Sequence, residues 1–268
     1  MKLVALIFSL STIIISLATP SSCHNLALEH GLTFSIFPLR LKSGLGGHYI
    51  PQTSCSSWRL GVEAHNIIEW TSIPKECEDY VGNYLLGKQY REDSKAVTEE
   101  AYKYAKNLNL VGDGKDIWIF DIDETSLSNL PYYADHGFGV EKYNATSFNE
   151  WVDLGTAPPL PESLKLYKRL LRLGFKVVFL TGRPQSQRDI TLKNLKNAGY
   201  TTFHTLIVKD STEYNGKTAV TYKSSERNKL EEKGYRIVGN IGDQWSDILG
   251  TNIGNRTFKL PDPMYYIS

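Results

Sequence analysis

Two pairs of aspartates stand out by their spacing. Asp121-Ile122-Asp123-Glu124-Thr125 closes a short apolar run, and alternation places Asp121 and Asp123 on the same side of extended backbone. Two carboxylates held that close repel, and one pKa climbs unless a cation lies between them. Mg2+ is a hard cation that takes oxygen ligands and meets that need. One carboxylate can then attack phosphorus while the other handles a proton. Taken alone, the stretch also reads as an acidic turn capping the next helix. The second pair, Asp243 and Asp247, lies in Gly242-Asp243-Gln244-Trp245-Ser246-Asp247, one helical turn apart. Near the first pair it would complete a magnesium site. Aspartates at a helix start also serve as caps favoured by the helix dipole.

Two shorter stretches suit phosphate. Thr181-Gly182-Arg183 offers a hydroxyl and a backbone N–H beside a glycine, both able to hold phosphate oxygens. The helix expected after Pro184 adds the positive end of its dipole. Tyr222-Lys223-Ser224 stands before an expected helix, where Lys223 can set a point charge on a phosphate or a carboxylate nucleophile. By itself each is an ordinary surface or helix-start sequence. Their force lies in the order: acid pair, hydroxyl, lysine, acid pair. Each follows an expected strand or opens the next helix, so all can converge on one edge of a sheet.

The elements that must carry these residues are legible from periodicity. Asp116 to Phe120 is apolar, β-branched and aromatic, and reads as a buried strand. Phe175 to Leu180 reads as a second buried strand, Thr205 to Val208 as a third strand and Tyr235 to Asn240 as a fourth. Helices are expected from Pro161 to Leu173, Ser186 to Ala198 and Ser224 to Lys233, each closed by a glycine. This alternation implies an α/β fold, a parallel sheet sandwiched by helices. Ligands bind beyond the carboxyl ends of such strands. Upstream, residues 56–110 read as a helical extension. Trp58, Val62, His65 and Ile68 fall near helical spacing. Pro74 can open a second helix through Cys77, Tyr80, Val81 and Tyr84. A third runs from about Glu92 to Leu108, with Ala96, Ala101, Tyr104 and Ala105 on one face.

The beginning of the chain reads as an address. Lys2, the apolar run Leu3 to Ile15 and small residues near Ala18 make residues 1–18 a secretory signal, with cleavage between 18 and 23. An N-terminal anchor is the alternative, but the run is short for a span of ~20 residues. Residues 24–55 read as an irregular segment. The secretory route leads to the cell exterior or the vacuole. If Cys23 is lost, Cys55 and Cys77 remain, as a disulfide in an oxidising compartment or as two buried thiols. Asn144-Ala145-Thr146 and Asn255-Arg256-Thr257 accept glycan if exposed. A net charge of +1 over 268 residues gives no basic field for nucleic acid. No later stretch is apolar enough to cross a membrane.

Together these stretches resemble the phosphatases of the haloacid dehalogenase (HAD) superfamily, whose first element reads Asp-x-Asp-x-Thr/Val. Gly239-Asn240-Ile241 before Gly242, Tyr222-Lys223-Ser224-Ser225-Glu226-Arg227 and Ser57-Trp58-Arg59-Leu60-Gly61-Val62-Glu63-Ala64 narrow the resemblance. They are similar to the plant acid phosphatase and vegetative storage protein family, a class B-like branch termed subfamily IIIB. The likeness covers about Ser56 to Ser268. It implies a HAD-type Rossmann-like domain over 56–268, with a small cap inserted at 128–159. It makes Asp121 the nucleophile and a metal ligand. Asp123 becomes the general acid and base, its backbone carbonyl also reaching the metal. Thr181 and the Gly182 N–H orient phosphate, and Lys223 neutralises charge. Asp243 ligates Mg2+, and Asp247 supports the ion's water shell. The implied substrate is a small phosphate monoester, the implied optimum is acidic, and a homodimer is allowed. Storage members can lose the first aspartate. This chain keeps Asp121, which favours an enzyme over a pure nitrogen reserve. In the cap, Tyr132, Tyr133, Phe138, Tyr143, Phe148 and Trp151 either wall the site for an aryl or nucleoside group or pack among themselves.

Overall fold

Strand β1 (Asp116–Phe120) runs through the middle of the sheet, and all of its residues are buried. The structure, a computed structural model, describes residues 54–268. The expected signal segment, its cleavage region, Cys23 and nearly all of the segment 24–55 lie outside the described residues. The other strands are β2 (Lys176–Pro184), β3 (Thr205–Lys209), β4 (Arg236–Gly242) and β5 (Arg256–Lys259). They pair in the order β3-β2-β1-β4-β5, all parallel. In chain order the helices are α1 (Cys55–Glu63), α2 (Glu78–Leu86), α3 (Lys88–Lys106), α4 (Leu130–Ala134), α5 (Ala145–Leu154), α6 (Pro161–Leu173), α7 (Arg188–Asn197), α8 (Ala219–Glu232) and α9 (Trp245–Ile248).

Alternation along β1 divides the core. Trp118 and Phe120 join Val177, Phe179 and the residues under α3 and α6 on one face. Ile117 and Ile119 join Val178, Leu180 and, from α8, Tyr222 and Leu230 on the other. Each such side chain, fully buried, contributes roughly 1.5–3 kcal/mol. The sheet is therefore covered on both sides, as parallel pairing requires. Gly239 of β4 has no Cβ because the Trp118 indole occupies that space.

The structure corrects several boundaries. β2 runs on to Pro184 rather than stopping at Leu180, with a register shift between Leu180 and Pro184, so Thr181-Gly182-Arg183 forms the strand's bulged end. α8 opens at Ala219, not Ser224, because Thr218 caps it by accepting the Thr221 N–H at 3.2 Å. Lys223 is thus inside the helix rather than before it. β5 was not expected; its apolar signal is Phe258 alone between polar neighbours. α1 opens at Cys55, one residue inside the expected irregular segment, and stops at Glu63. His65 lies outside it with a φ of 60°, and Ile68 is exposed. The His65 ring instead stacks on Trp245 at 4.8 Å. α3 starts at Lys88, earlier than expected, and buries Tyr90, Ser94, Thr98, Ala101 and Ala105, while Ala96 faces solvent. A 3-10 turn, Gln185–Gln187, precedes α7. Cys55 and Cys77 are bonded through sulfur, tying α1 to the turn before α2.

The segment 128–159 holds α4, the 3-10 turn Gly137–Gly139 and α5. Its neck is stapled: Ser128 N–H donates to Pro158 O at 2.8 Å, and Leu160 N–H to Ser126 O at 3.0 Å. Tyr132, Tyr133, Tyr143 and Phe148 pack against one another. Phe148 meets Tyr132 at 5.3 Å and Tyr143 at 5.7 Å, and Tyr132 meets Tyr133 edge-on. Tyr133 also stacks on Tyr265 at 5.4 Å, and the Phe138 ring fills the space beside Gly82. Of these rings only Tyr143 is mostly exposed.

Candidate active site

Register sets the site. Phe120 pairs with Phe179 on one side and Ile241 on the other. Asp121 follows directly, while Thr181 and Asp243 lie two residues past those partners, so all three reach one edge of the sheet. The Asp121 N–H donates to Ile241 O at 3.0 Å. From α8, buried Lys223 donates through Nζ to Asp121 Oδ1 at 2.6 Å and to Asp247 Oδ1. Asp121, Asp243 and Asp247 are all buried, and each brings a carboxylate oxygen within 4.8 Å of the others. Burial and the charge of Asp247 push the Asp121 carboxyl well up, against the pull of Lys223. Burial and the same neighbour raise Asp243. Burial works against the Lys223 ammonium, but Asp121 and Asp247 hold it charged.

These three carboxylates lie buried together around one ammonium. The surplus negative charge and the all-oxygen donor set fit a hard divalent cation. The carboxylates are also well braced. Thr125 Oγ1 donates to Asp243 Oδ1 at 2.9 Å, and Gln244 Nε2 to Asp243 Oδ2 at 2.8 Å. The Gln244 N–H donates to Asp247 Oδ2 at 2.9 Å, closing a capping box on α9. Gly242 must be glycine, because a Cβ there would overlap the Asp247 carboxylate.

Asp123 stands apart from that cluster. Arg183 grips both of its oxygens, with Nη2 at 2.7 Å from Oδ1 and Nε at 3.1 Å from Oδ2. Asn129 Nδ2 donates to Oδ1 at 2.7 Å, and Thr181 Oγ1 lies 3.5 Å from Oδ2. Burial alone would raise the Asp123 carboxyl, but the Arg183 guanidinium outweighs it and holds the group below the ordinary range. Thr181 is fully buried, while Gly182 is exposed with open space beside it. Asn144 and Asn255 are exposed, and Asn144 Oδ1 caps α5 by accepting the Thr146 N–H at 3.0 Å.

Four residues escaped the sequence reading. Arg183 is one of them. Its one signal is its place two residues after Thr181, which alternation puts on the same side. Glu124 is buried at a φ of 52°, and its carboxyl accepts the Asn129 N–H and, at 3.3 Å, the Ser128 hydroxyl. Burial raises its pKa well above the usual value. Asp262 is buried too, accepting from Gln244 Nε2 at 2.8 Å and from the Met264 N–H at 2.9 Å. Asn129 is the fourth.

Over residues 42–268 the chain matches the family described as HAD superfamily, subfamily IIIB (Acid phosphatase). The chain belongs to that family. Among its relatives, acid phosphatase 1 of Solanum lycopersicum is 53% identical over 216 residues, 81% of this chain and 84% of that protein. Vegetative storage protein 1 of Arabidopsis thaliana is 43% identical over 274 aligned positions, 97% of this chain and 98% of that protein. A solved class C acid phosphatase from Bacillus anthracis shares the fold, with a TM-score of 0.56 at 20% identity over 72% of this chain and 86% of that one. This subfamily IIIB acid phosphatase therefore carries a HAD-type sheet, a buried aspartate cluster able to bind a divalent cation, and a family activity directed at small phosphate esters.

Proposed function

We propose that this acid phosphatase hydrolyses phosphate monoesters through an aspartyl-phosphate on Asp121, with Mg2+ as its metal. The observation that carries the reading is Lys223 Nζ at 2.6 Å from Asp121 Oδ1, beside Asp243 and Asp247. Asp121, Asp243 and the backbone carbonyl of Asp123 would hold the ion, with Asp247 supporting its waters. When bound, Mg2+ offsets the negative charge of phosphate and carboxylates. Lys223 adds a fixed positive charge to the same end. The Thr181 hydroxyl and the Gly182 N–H orient the phosphate oxygens.

A carboxylate oxygen of Asp121 attacks phosphorus, and the bond from phosphorus to the ester oxygen breaks. Protonated Asp123 gives its proton to that oxygen, and the alcohol leaves. The Asp123 carboxylate then takes a proton from water, whose oxygen attacks phosphorus. The bond between phosphorus and Asp121 breaks, and phosphate departs. The sum is ester and water giving alcohol and phosphate. The first step needs Asp123 protonated, although Arg183 favours its ionised form, and it needs Asp121 ionised, the state that Lys223 and a bound cation favour.

Asp121→Asn tests the reading. It should abolish phosphate release from an aryl phosphate in Mg2+ while keeping the melting temperature. Equal turnover by mutant and wild type would remove Asp121 from the role. Chelation should stop the wild type, and Mg2+ should restart it. We also propose that the chain is secreted or vacuolar, dimeric, and glycosylated at the exposed Asn144 and Asn255. The likeness to a vegetative storage protein along nearly its whole length supports nitrogen storage as a second role. High tissue abundance with negligible specific activity would favour storage over catalysis.

A further inference from the structure

Asn129 makes and breaks no bond in the proposed reaction. It is fully buried at the N-cap of α4, where an asparagine side chain ordinarily accepts from the first helical N–H groups. It does not do so here. Ser128 Oγ accepts the Leu130 N–H instead, at 3.2 Å. The Asn129 amide turns to Asp123, donating from Nδ2 to Oδ1 at 2.7 Å. Its own Oδ1 accepts from Trp151 Nε1, on α5 of the insertion, at 3.1 Å. An indole N–H can only donate. Trp151 therefore fixes which end of the amide faces it, and so which end faces Asp123. A reversed amide would set oxygen against carboxylate oxygen and NH2 against the indole N–H. The backbone is pinned as well, by the Asn129 N–H to Glu124 and the Tyr133 N–H to Asn129 O at 3.0 Å.

We propose that Asn129 is a positioning residue for Asp123, and that Trp151 sets its orientation from the insertion. The proposal rests on Asp123 being the proton donor. Arg183 grips the carboxylate from β2, and Asn129 adds a donor from the chain entering α4. The two together fix the rotation of the carboxylate about its Cβ. The insertion thereby bears on proton transfer and not only on access. Esters with a poor leaving group, such as alkyl phosphates, need the proton. A nitrophenyl ester departs as a stable anion and does not.

The test compares Trp151→Phe, Asn129→Ala and the double variant on an alkyl phosphate and on 4-nitrophenyl phosphate. The readout is kcat/KM, which stops at the first irreversible step and so excludes hydrolysis of the phosphoenzyme. Trp151→Phe keeps a ring and deletes the N–H. On the alkyl ester it should lose about five-fold, the worth of one neutral hydrogen bond, and on the nitrophenyl ester less than about two-fold. Asn129→Ala should lose about ten-fold or more on the alkyl ester, and the double variant no more than that, since both residues act along one line. Equal losses on the two esters would reduce the pair to packing and overturn the proposal. An unchanged alkyl rate would do the same. Should Trp151→Phe fail to fold, the ester contrast in Asn129→Ala decides alone. Asp123→Asn is the control. If it keeps the wild-type alkyl rate, the proton-donor reading fails and takes the positioning role with it.

Discussion

Gly242 shows how closely single atoms are set in this site. The Asp247 carboxylate occupies the space that any side chain at 242 would need, and Asp247 in turn bonds Lys223 and the Gln244 N–H. Gly242→Ala must push Asp247 away. Mg2+ activation should then need about ten-fold more metal, as for other changes that disturb a ligand's support. A titration with Mg2+ measures this, and an unchanged midpoint would separate Asp247 from the ion. Asp121, Asp123, Asp243 and Asp247 were legible because type and spacing mark them beside apolar runs. Arg183, Asn129, Glu124 and Asp262 were not. A buried polar residue is meaningful through its partner, and Arg183 meets Asp123 across 60 positions of chain. No local pattern reports such a pairing.

Elements turn these pairings into geometry. The pairing of Phe120 with Phe179 of β2 and Ile241 of β4 brings Asp121, Thr181 and Asp243 to one edge of the sheet. The bulged end of β2 aims Thr181 and Arg183 together at Asp123. The four expected strands were legible from short apolar runs, although β3, at the edge of the sheet, is only partly buried. β5 was not, because Arg256, Thr257 and Lys259 dilute its signal, and pairing with β4 supplies what propensity lacks. The early start of α8 was hidden for a similar reason: Thr218 and Thr221 suit a cap as well as a loop. Among the helices, α1 is held by the Cys55–Cys77 bond, which spans a sequence separation of 22. A loop of that size makes the bond worth about 3 kcal/mol in the chain-entropy account. Replacing both cysteines by alanine should lower the unfolding free energy by about that amount in a urea titration. KM should not move, because neither cysteine bonds a site residue. A loss of activity in still-folded protein would tie α1 to catalysis.

At the scale of the molecule, the buried acids set the response to pH. Burial holds Asp121, Glu124, Asp243 and Asp262 well above the ordinary carboxylate range. In the unfolded chain they ionise near pH ~4. Between that value and their folded pKa values, the folded protein binds more protons, so its stability falls as pH rises. Asp113 and Asp116 run the other way. Hydrogen bonds from Arg236 lower Asp113 to about 2 and depress Asp116, so their contribution is present above the ordinary pKa and lost in stronger acid. Chelated protein should therefore melt highest in mild acid and lower toward neutral pH. Mg2+ should raise the melting temperature more at pH 7 than at pH 5, because cation and protons compete for the same oxygens. A melting temperature that climbs steadily to neutral pH without metal would contradict this.

The central claim is that Asp121 carries the phosphoryl group. Acid quench of a single turnover, followed by borohydride reduction, converts a phosphorylated aspartate to homoserine. Peptide mass spectrometry should find homoserine at position 121 and at no other aspartate. Undiminished turnover with position 121 unaltered, or phosphate held at another residue, would contradict the account.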